Sequence, residues 1–336
     1  MKIIDPVTGF EYPNDWVRLC KDKEALELVE SGLAILTSTG EILRRGFTTG
    51  TTAAAACKAA VLSLKEPVSS VNIKLPCDLR FEVKAEGENG TGNAYKFSGD
   101  YKNDITSGLQ FSAKACESET AIHFIAGEGI GRFERETPRY KTGDPAISPP
   151  AMNMILRSIK EAAGALNLSG VSVELTIPKG REIGEQTLNP KVGVMGGVSV
   201  LGSTGLVEPW DDHLSEDVFQ RIKNSDTPVL TTGRTGLRYS RMLFPDNEVV
   251  LVGKFMERAI EAASGRAILC GLPALILKFI NPRILDGTGY KTVEELTMSE
   301  RWESLLEESL NDYKKNMPYM RVVIIGRNGE IKGDSG

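Results

Sequence analysis

Histidine is nearly absent from this 336-residue chain: only His123 and His213 occur. Two imidazoles are too few for a His-based transition-metal centre. The five cysteines, at 20, 57, 77, 116 and 270, are odd in number and none shares CxxC spacing. That argues against a structural zinc site and against a disulfide framework, so reduced, mostly buried thiols and no metal are expected. No stretch approaches the ~20 consecutive apolar residues of a membrane span. The opening MKIIDPVTGFEY lacks the basic and apolar regions of a secretion signal. A cytoplasmic protein without a membrane partner is the expectation. Positive charge is also in short supply, with a formal net charge of -5 and a pI near 5.4, which disfavours a nucleic-acid partner. Missing too are a G-x-S-x-G elbow, an HExxH pair and the lysine of a GxxxxGK[ST] phosphate loop. No residue stands out as a catalytic base.

What is present is enough sequence for two domains, 41% of it hydrophobic. Residues 1–42 read as an N-terminal extension, with a short helix ending near Gly32 and a hairpin around Ser38-Thr39-Gly40. GFTTGTTAAAACKAAVLSL then predicts an alanine-rich helix capped by Thr51 or Thr52 and stopped by Pro67. From Val68 to about Ala126 the segments VNIKLP, RFEVKA, AYKFSGD and AIHFIAG alternate like strands. A helix at MNMILRSIKEAAGAL and a strand at VSVELTIP follow. Residues 43–190 therefore predict an α+β domain on a mixed or antiparallel sheet. Beyond Pro190, the runs VGVMGGVSVLG, TPVLTT, EVVLVG, RAILCG and MRVVIIG alternate with helical stretches at 214–223, 254–264, 272–279 and 292–315. Apolar strands separated by helices indicate a parallel sheet covered on both faces, so 191–336 predicts a Rossmann-like three-layer α/β/α domain. The fold class is α/β.

Three groups of segments have the residues to bind a ligand. Arg44-Arg45-Gly46-Phe47-Thr48-Thr49-Gly50-Thr51-Thr52 puts hydroxyls, glycines and a helix N-terminus together. It is either an anion seat or simply a well-capped helix. Asp104-Ile105-Thr106-Ser107-Gly108 and the GxGxGR run ending at Arg132 are either ligand loops or plain turns. Arg132, Arg135 and Arg139 suit bidentate capture of carboxylates, or form a solvated surface run. In the third group, Gly193 to Gly205 contains Gly196, Gly197, Gly202, Ser203, Thr204 and Gly205, and Thr232-Gly233 and Cys270-Gly271 follow later strands. In a parallel sheet all three loops would open at the carboxyl edge, where ligands bind.

Taken in order, LRRGFTTGTTAAAACKAA at 43–60, NDITSG at 103–108 and GEGIGR at 127–132 resemble the cobalt-precorrin-5B C1-methyltransferase (CbiD) family. So do GDPAISPPAMNMI at 143–155, LNPKVGVMGGVSVLGSTGLVEP at 188–209 and, more loosely, VLVGKFMERAIEAA at 250–263. The resemblance implies an enzyme of anaerobic cobalamin biosynthesis that moves a methyl group from S-adenosyl-L-methionine to C1 of an anionic cobalt-precorrin tetrapyrrole. It implies that Arg44, Arg45, Thr48, Thr49, Thr51, Asp104, Thr106 and Arg132 bind the substrate, within a tetrapyrrole-binding 43–190 domain. Gly196, Gly197, Gly202, Ser203, Thr204, Gly205, Thr232 and Gly233 would bind the methyl donor, within 191–336. Past residue 210 the chain departs from the family pattern: TTGRTG stands in place of a TPGNxG loop, and CGLPALILKFI in place of a GHxGKLxKLAxG helix start. Those departures leave two alternatives, a divergent paralogue methylating another acceptor and a non-enzymatic tetrapyrrole-binding protein. A homodimer is the base-rate expectation for assembly.

Overall fold

Strict alternation of apolar and polar residues from Val68 onward builds a six-stranded mixed sheet. The strands run Val68–Lys74, Arg80–Glu88, Thr91–Tyr95, Gln110–Ser118, Gly170–Thr176 and Ile122–Ala126 across the sheet. Neighbours are antiparallel except the last pair, which is parallel. The computed structural model describes residues 2–119, 121–137, 139–210, 218–253 and 255–336. In Arg80–Glu88, the side chains of Phe81, Val83 and Ala85 point inward and their neighbours face solvent.

The alanine-rich helix, Thr49–Leu62, lies on the inward face, and every residue from Thr49 to Val61 is buried. Small side chains on all sides let its backbone come down onto the strands. A Cβ added to Gly92 would overlap the Ala56 carbonyl oxygen, and one on Gly87 would sit 2.6 Å from that of Ala59. The helix is capped by Thr48, whose Oγ1 accepts the Thr51 N–H at 3.2 Å; the expected caps, Thr51 and Thr52, lie inside the helix. A second helix, Pro149–Ala165, starts with two prolines, which suit a first turn because its N–H groups have no helical partner. It buries Ala151, Met154, Ile155, Ser158, Ile159, Ala162 and Ala163, an i, i+3, i+4 stripe, as its periodicity predicts. Glu161 on its outer side receives Lys58 at 2.6 Å and Arg80 at 2.9 Å. Burial would raise the Glu161 carboxyl, but these two cations hold it at about 2.

The chain divides into two compact units, Arg44–Asp211, and Met1–Leu43 together with Asp212–Gly336. The boundary expected at 190 therefore falls inside the first unit. Val194–Met195 pairs with Arg132–Phe133, and Gly197–Val198 pairs with Gly129–Ile130, so the glycine-rich run belongs to the α+β unit, not to the parallel sheet. The physical reason is steric. A Cβ on Gly197 would overlap the Gly129 carbonyl, and one on Gly184 would overlap Gly197, so these backbones touch where side chains would normally stand.

The other unit is built on a five-stranded sheet ordered Val249–Leu251, Val229–Thr231, Ala267–Gly271, Met320–Ile325 and Ile331–Asp334. The first four are parallel and the last is antiparallel. Leu230, Val250, Leu269 and Val322 stand in one cross-strand row, packed against Ala259, Ile276, Leu277 and Leu306 from the helices. Each such aliphatic side chain contributes about 1.5–3 kcal/mol by leaving water. Thr231, Cys270 and Val323 alternate onto the opposite side. There the helix Gly233–Leu243 lies against the strands, since a Cβ on its Gly236 would sit 2.5 Å from Thr231 Oγ1. Residues 1–42 are not an appendage. Phe10 packs at 5.3 Å on Tyr239 of that helix, and Ser38 donates to the carbonyls of Met242 and Leu243 at its end. The expected 292–315 helix is two, Val293–Thr297 and Trp302–Asn316, and the start of the 214–223 helix lies outside the described residues. Cys20, Cys57 and Cys270 are buried, Cys77 is half-buried and Cys116 is exposed, all as free thiols. Burial pushes the Cys57 thiol far up and that of Cys270 to about 11, so neither is poised as a nucleophile.

Candidate functional site

Two segments far apart in sequence, 44–52 and 197–207, are joined along a seam in the α+β unit. Leu206–Val207 pairs with Gly46–Phe47, and Thr48 N–H donates to the Gly205 carbonyl at 3.0 Å. The seam uses the hydroxyls that the sequence offers. Thr51 Oγ1 donates to the Gly205 carbonyl at 2.7 Å, and Thr49 Oγ1 donates to the Ser199 carbonyl at 3.1 Å while accepting the Leu201 N–H at 2.8 Å. Gly50 N–H, in the first turn of the helix, goes to the Leu201 carbonyl at 2.8 Å. Gly202 lies against Thr48 Oγ1, Gly205 against Leu75, and Thr204 Oγ1 closes a local turn with Leu206. What the sequence suggests as an open anion seat is, at Thr49, Gly50 and Thr51, a sealed junction between two loops. Gly196 and Ser203 remain at its surface.

The expected substrate residues divide in the same way. Arg45 is 1% exposed, with its Nε 3.3 Å from Glu208 Oε2, so it is a core ion pair and not a surface anchor. Arg44 is exposed and clasps Asp100, whose Oδ1 is 3.2 Å from its Nη2 and whose Oδ2 accepts the Arg44 N–H at 2.7 Å. Asp104 turns inward, accepting Lys96 and Ser98 at 2.7 Å on one oxygen and the Thr106 hydroxyl at 2.6 Å on the other. Burial would raise its carboxyl, but Lys96 and the hydroxyls overcome this and hold it at about 2. Burial draws the Lys96 ammonium down in spite of Asp104. Arg132 is exposed and donates to the carbonyls of Gly143 at 2.9 Å and Ala126 at 2.8 Å, pinning the loop that follows its strand. Sequence reasoning missed Lys96 and Glu208, the partners that neutralise Asp104 and Arg45. Glu208 lies 163 residues from Arg45, and no local signal links them.

The second unit presents a different surface at the carboxyl ends of Val229–Thr231 and Ala267–Gly271. Thr231 is paired with Cys270 across the sheet, so Thr232-Gly233 and Gly271 leave it side by side. Thr232 is the N-cap residue of the Gly233–Leu243 helix, but its side chain makes no cap hydrogen bond. Its Oγ1 is buried without any partner, as is that of Thr231. Gly233 has φ 71°, and a Cβ there would meet nothing within 4 Å, so this glycine borders open space. The set of residues expected to hold a donor is thus distributed over both units: Gly196 to Gly205 in one, Thr232 and Gly233 in the other.

The CbiD family model matches residues 36–209, which contain the whole of the threonine seam. The chain belongs to the CbiD family. Curated members named cobalt-precorrin-5B C(1)-methyltransferase align over nearly the full length of both chains. The protein of Methanoregula boonei is 53% identical over 331 residues, covering 98% of this chain and 99% of its own. That of Methanoculleus marisnigri is 52% identical over 333 residues, with the same coverage. The crystal structure of the cobalamin biosynthesis protein CbiD from Archaeoglobus fulgidus superposes with a TM-score of 0.56 at 35% identity, covering 96% of this chain and 100% of that one. The N-terminal segment that looked added in the sequence is shared with family members of this length. TTGRTG and CGLPALILKFI also fall within alignments covering 98% of the chain. Among the described residues no group of side chains could hold a metal ion, and no helix is long and apolar enough to cross a membrane.

Proposed function

We propose that this chain is a cobalt-precorrin-5B C1-methyltransferase, transferring the methyl group of S-adenosyl-L-methionine to C1 of a cobalt-bearing, ring-contracted tetrapyrrole. The observation that carries the reading is identity above half, over the whole length, to curated proteins of that name. The chemistry asks little of the side chains. A sulfonium methyl is already activated, so the protein's work is to hold donor and carbon nucleophile in line and to keep water out. Free thiols that burial keeps protonated, and no acid–base pair singled out, are compatible with a reaction that needs no covalent nucleophile.

The unit formed by 1–43 and 212–336 reads as a Rossmann-like layer structure, and its strand ends at Thr232 and Gly271 are the reading's donor side. The α+β unit is its acceptor side, where Arg132 and Arg44 are the exposed cations among the residues expected to meet the carboxylate arms. Free cysteines suit a reducing cytoplasm. No observation favours the divergent-paralogue or non-enzymatic alternatives, because the segments that suggested them lie inside alignments to curated methyltransferases.

The test is transfer from methyl-labelled S-adenosyl-L-methionine to cobalt-precorrin-5B by the purified chain. Label at C1 of the ring is expected. Donor binding with no label in this acceptor would move the activity to another substrate, and absence of donor binding would remove the enzyme reading altogether.

A further inference from the structure

In the parallel sheet, two adjacent strands send the chain in opposite directions. From Val229–Thr231 it passes through the Gly233–Leu243 helix to the edge strand Val249–Leu251. From Ala267–Gly271 it passes through the Pro273–Ile280 helix and those after it to Met320–Ile325 on the other side. Neighbouring strands whose exits diverge leave a notch at their carboxyl ends that neither connection roofs over.

Three features at this edge bear on what it could hold. Thr232 is 7% exposed, and its hydroxyl has no partner. That oxygen lies 3.6 Å from where a Cβ on Gly271 would stand, next to the Ile276 side chain, so it is turned toward the neighbouring strand end. Beside it, Gly233 faces open space at φ 71°. A buried, unmatched hydroxyl is costly to keep, which makes it a donor waiting for an acceptor. The charge sense is defined as well. The Gly233–Leu243 helix starts at the notch with no acidic residue in its first turn and no side-chain cap, and a helix start favours a negative group. The Thr231 hydroxyl is also unmatched, but it lies under the helix beside Gly236, on the other side of the strand.

We infer that this notch binds a carboxylate, that of the methionine end of the methyl donor, with the Thr232 hydroxyl donating to one carboxylate oxygen. The inference rests on the methyl-transfer reading and adds the place where the donor is held. It assigns the donor's amino-acid end to the second unit and takes Gly197, Gly202 and Gly205 out of the donor site, because their glycines are required by contact with Gly129, Thr48 and Leu75.

Calorimetric titration of the full chain with S-adenosylhomocysteine, which has the carboxylate, and with 5′-methylthioadenosine, which lacks it, reads the site. In Thr232→Val we expect affinity for S-adenosylhomocysteine to fall about tenfold, with methylthioadenosine unchanged and Thr232→Ser restoring the loss. Valine suits the extended backbone at this position, φ −129°, so the unliganded Tm should hold or rise as an unmatched hydroxyl is removed. Equal losses for both ligands, or none for either, would overturn the assignment. A loss confined to the tetrapyrrole would also overturn it, by giving the carboxylate to the acceptor. If the wild-type chain transfers methyl while Thr232→Val binds the donor normally, only this site falls. If the wild type neither binds the donor nor transfers methyl, the functional reading falls with it.

Discussion

Two glycine-rich regions look alike in sequence and are opposites in structure. In the seam around Gly197 and Gly205, the glycines are there because another backbone or side chain occupies the position a Cβ would need, and the neighbouring threonines Thr49 and Thr51 spend their hydroxyls on carbonyls across the seam. At Thr232-Gly233, the glycine borders empty space and the hydroxyl beside it has nothing to bond. The contrast teaches that a glycine cluster marks close approach without saying what approaches. Only the state of the nearby polar groups separates a sealed joint from a site awaiting an occupant.

The largest effect should come from filling the seam. Gly197→Ala would drive a methyl group into the Gly129 carbonyl and the Gly131 N–H, both backbone and neither free to swing aside. A loss of about 3 kcal/mol or more is expected, seen as a lower denaturant midpoint, with any loss of donor binding following the loss of fold. A variant of wild-type stability that had lost only donor affinity would break the comparison. Next come the two neighbouring arginines. Arg45→Ala vacates a fully buried position and removes its ion pair with Glu208, and should cost about 3 kcal/mol. Arg44→Ala, which removes a mostly exposed pair with Asp100, should cost under about 1 kcal/mol. Comparable losses for the two, measured by urea unfolding, would contradict the assignment of Arg45 to the core.

Acid sharpens the picture at Asp104. Its folded carboxyl sits at about 2, below the ordinary 3.8, so the stability it contributes is present above pH 4 and disappears as pH falls toward 2. The linkage amounts to about 2 kcal/mol. Asp104→Asn should therefore flatten, in part, the fall of unfolding free energy between pH 4 and pH 2. Glu161, also held at about 2, and Asp334, lowered by Arg321, keep part of the remaining slope. An unchanged slope would show the Lys96–Asp104 pair to be uncoupled from folding. The smallest effect belongs to the open region. Gly233→Ala meets no atom and has only a left-handed backbone to object to, so about 1 kcal/mol of stability is expected to go. A penalty matching that of Gly197→Ala would mean the strand ends are as closed as the seam.

Much of the architecture could be read in advance, because periodicity is local. The alternation through Val68–Ala126, the stripe of Pro149–Ala165 and the apolar strands after Thr227 each announce their element within ten or so residues. What escaped depends on distant partners. VGVMGGVSV has the look of a parallel-sheet strand, yet it pairs with Gly129–Ile130 and Arg132–Phe133, and nothing within the run names those partners. The site reading failed for the same cause at Arg45. An arginine next to a threonine-rich loop suggests an anion anchor until Glu208, far along the chain, claims it. The place of Thr232 between strand and helix could be read because strand, threonine, glycine and helix follow one another directly, but its unmatched hydroxyl could not.

The unit containing both ends of the chain has a consequence for biogenesis. Its first 43 residues leave the ribosome well before Gly233–Leu243, the helix that Phe10 and Ser38 grip, and before Met320–Ile325, an inner strand of its sheet. The Arg44–Asp211 unit, by contrast, is contiguous and can complete itself during translation. The nascent protein thus carries an early segment some of whose partners, such as the Tyr239 ring that Phe10 meets, are synthesised late. Chaperone capture of the newborn polypeptide should centre on that waiting N-terminal arm.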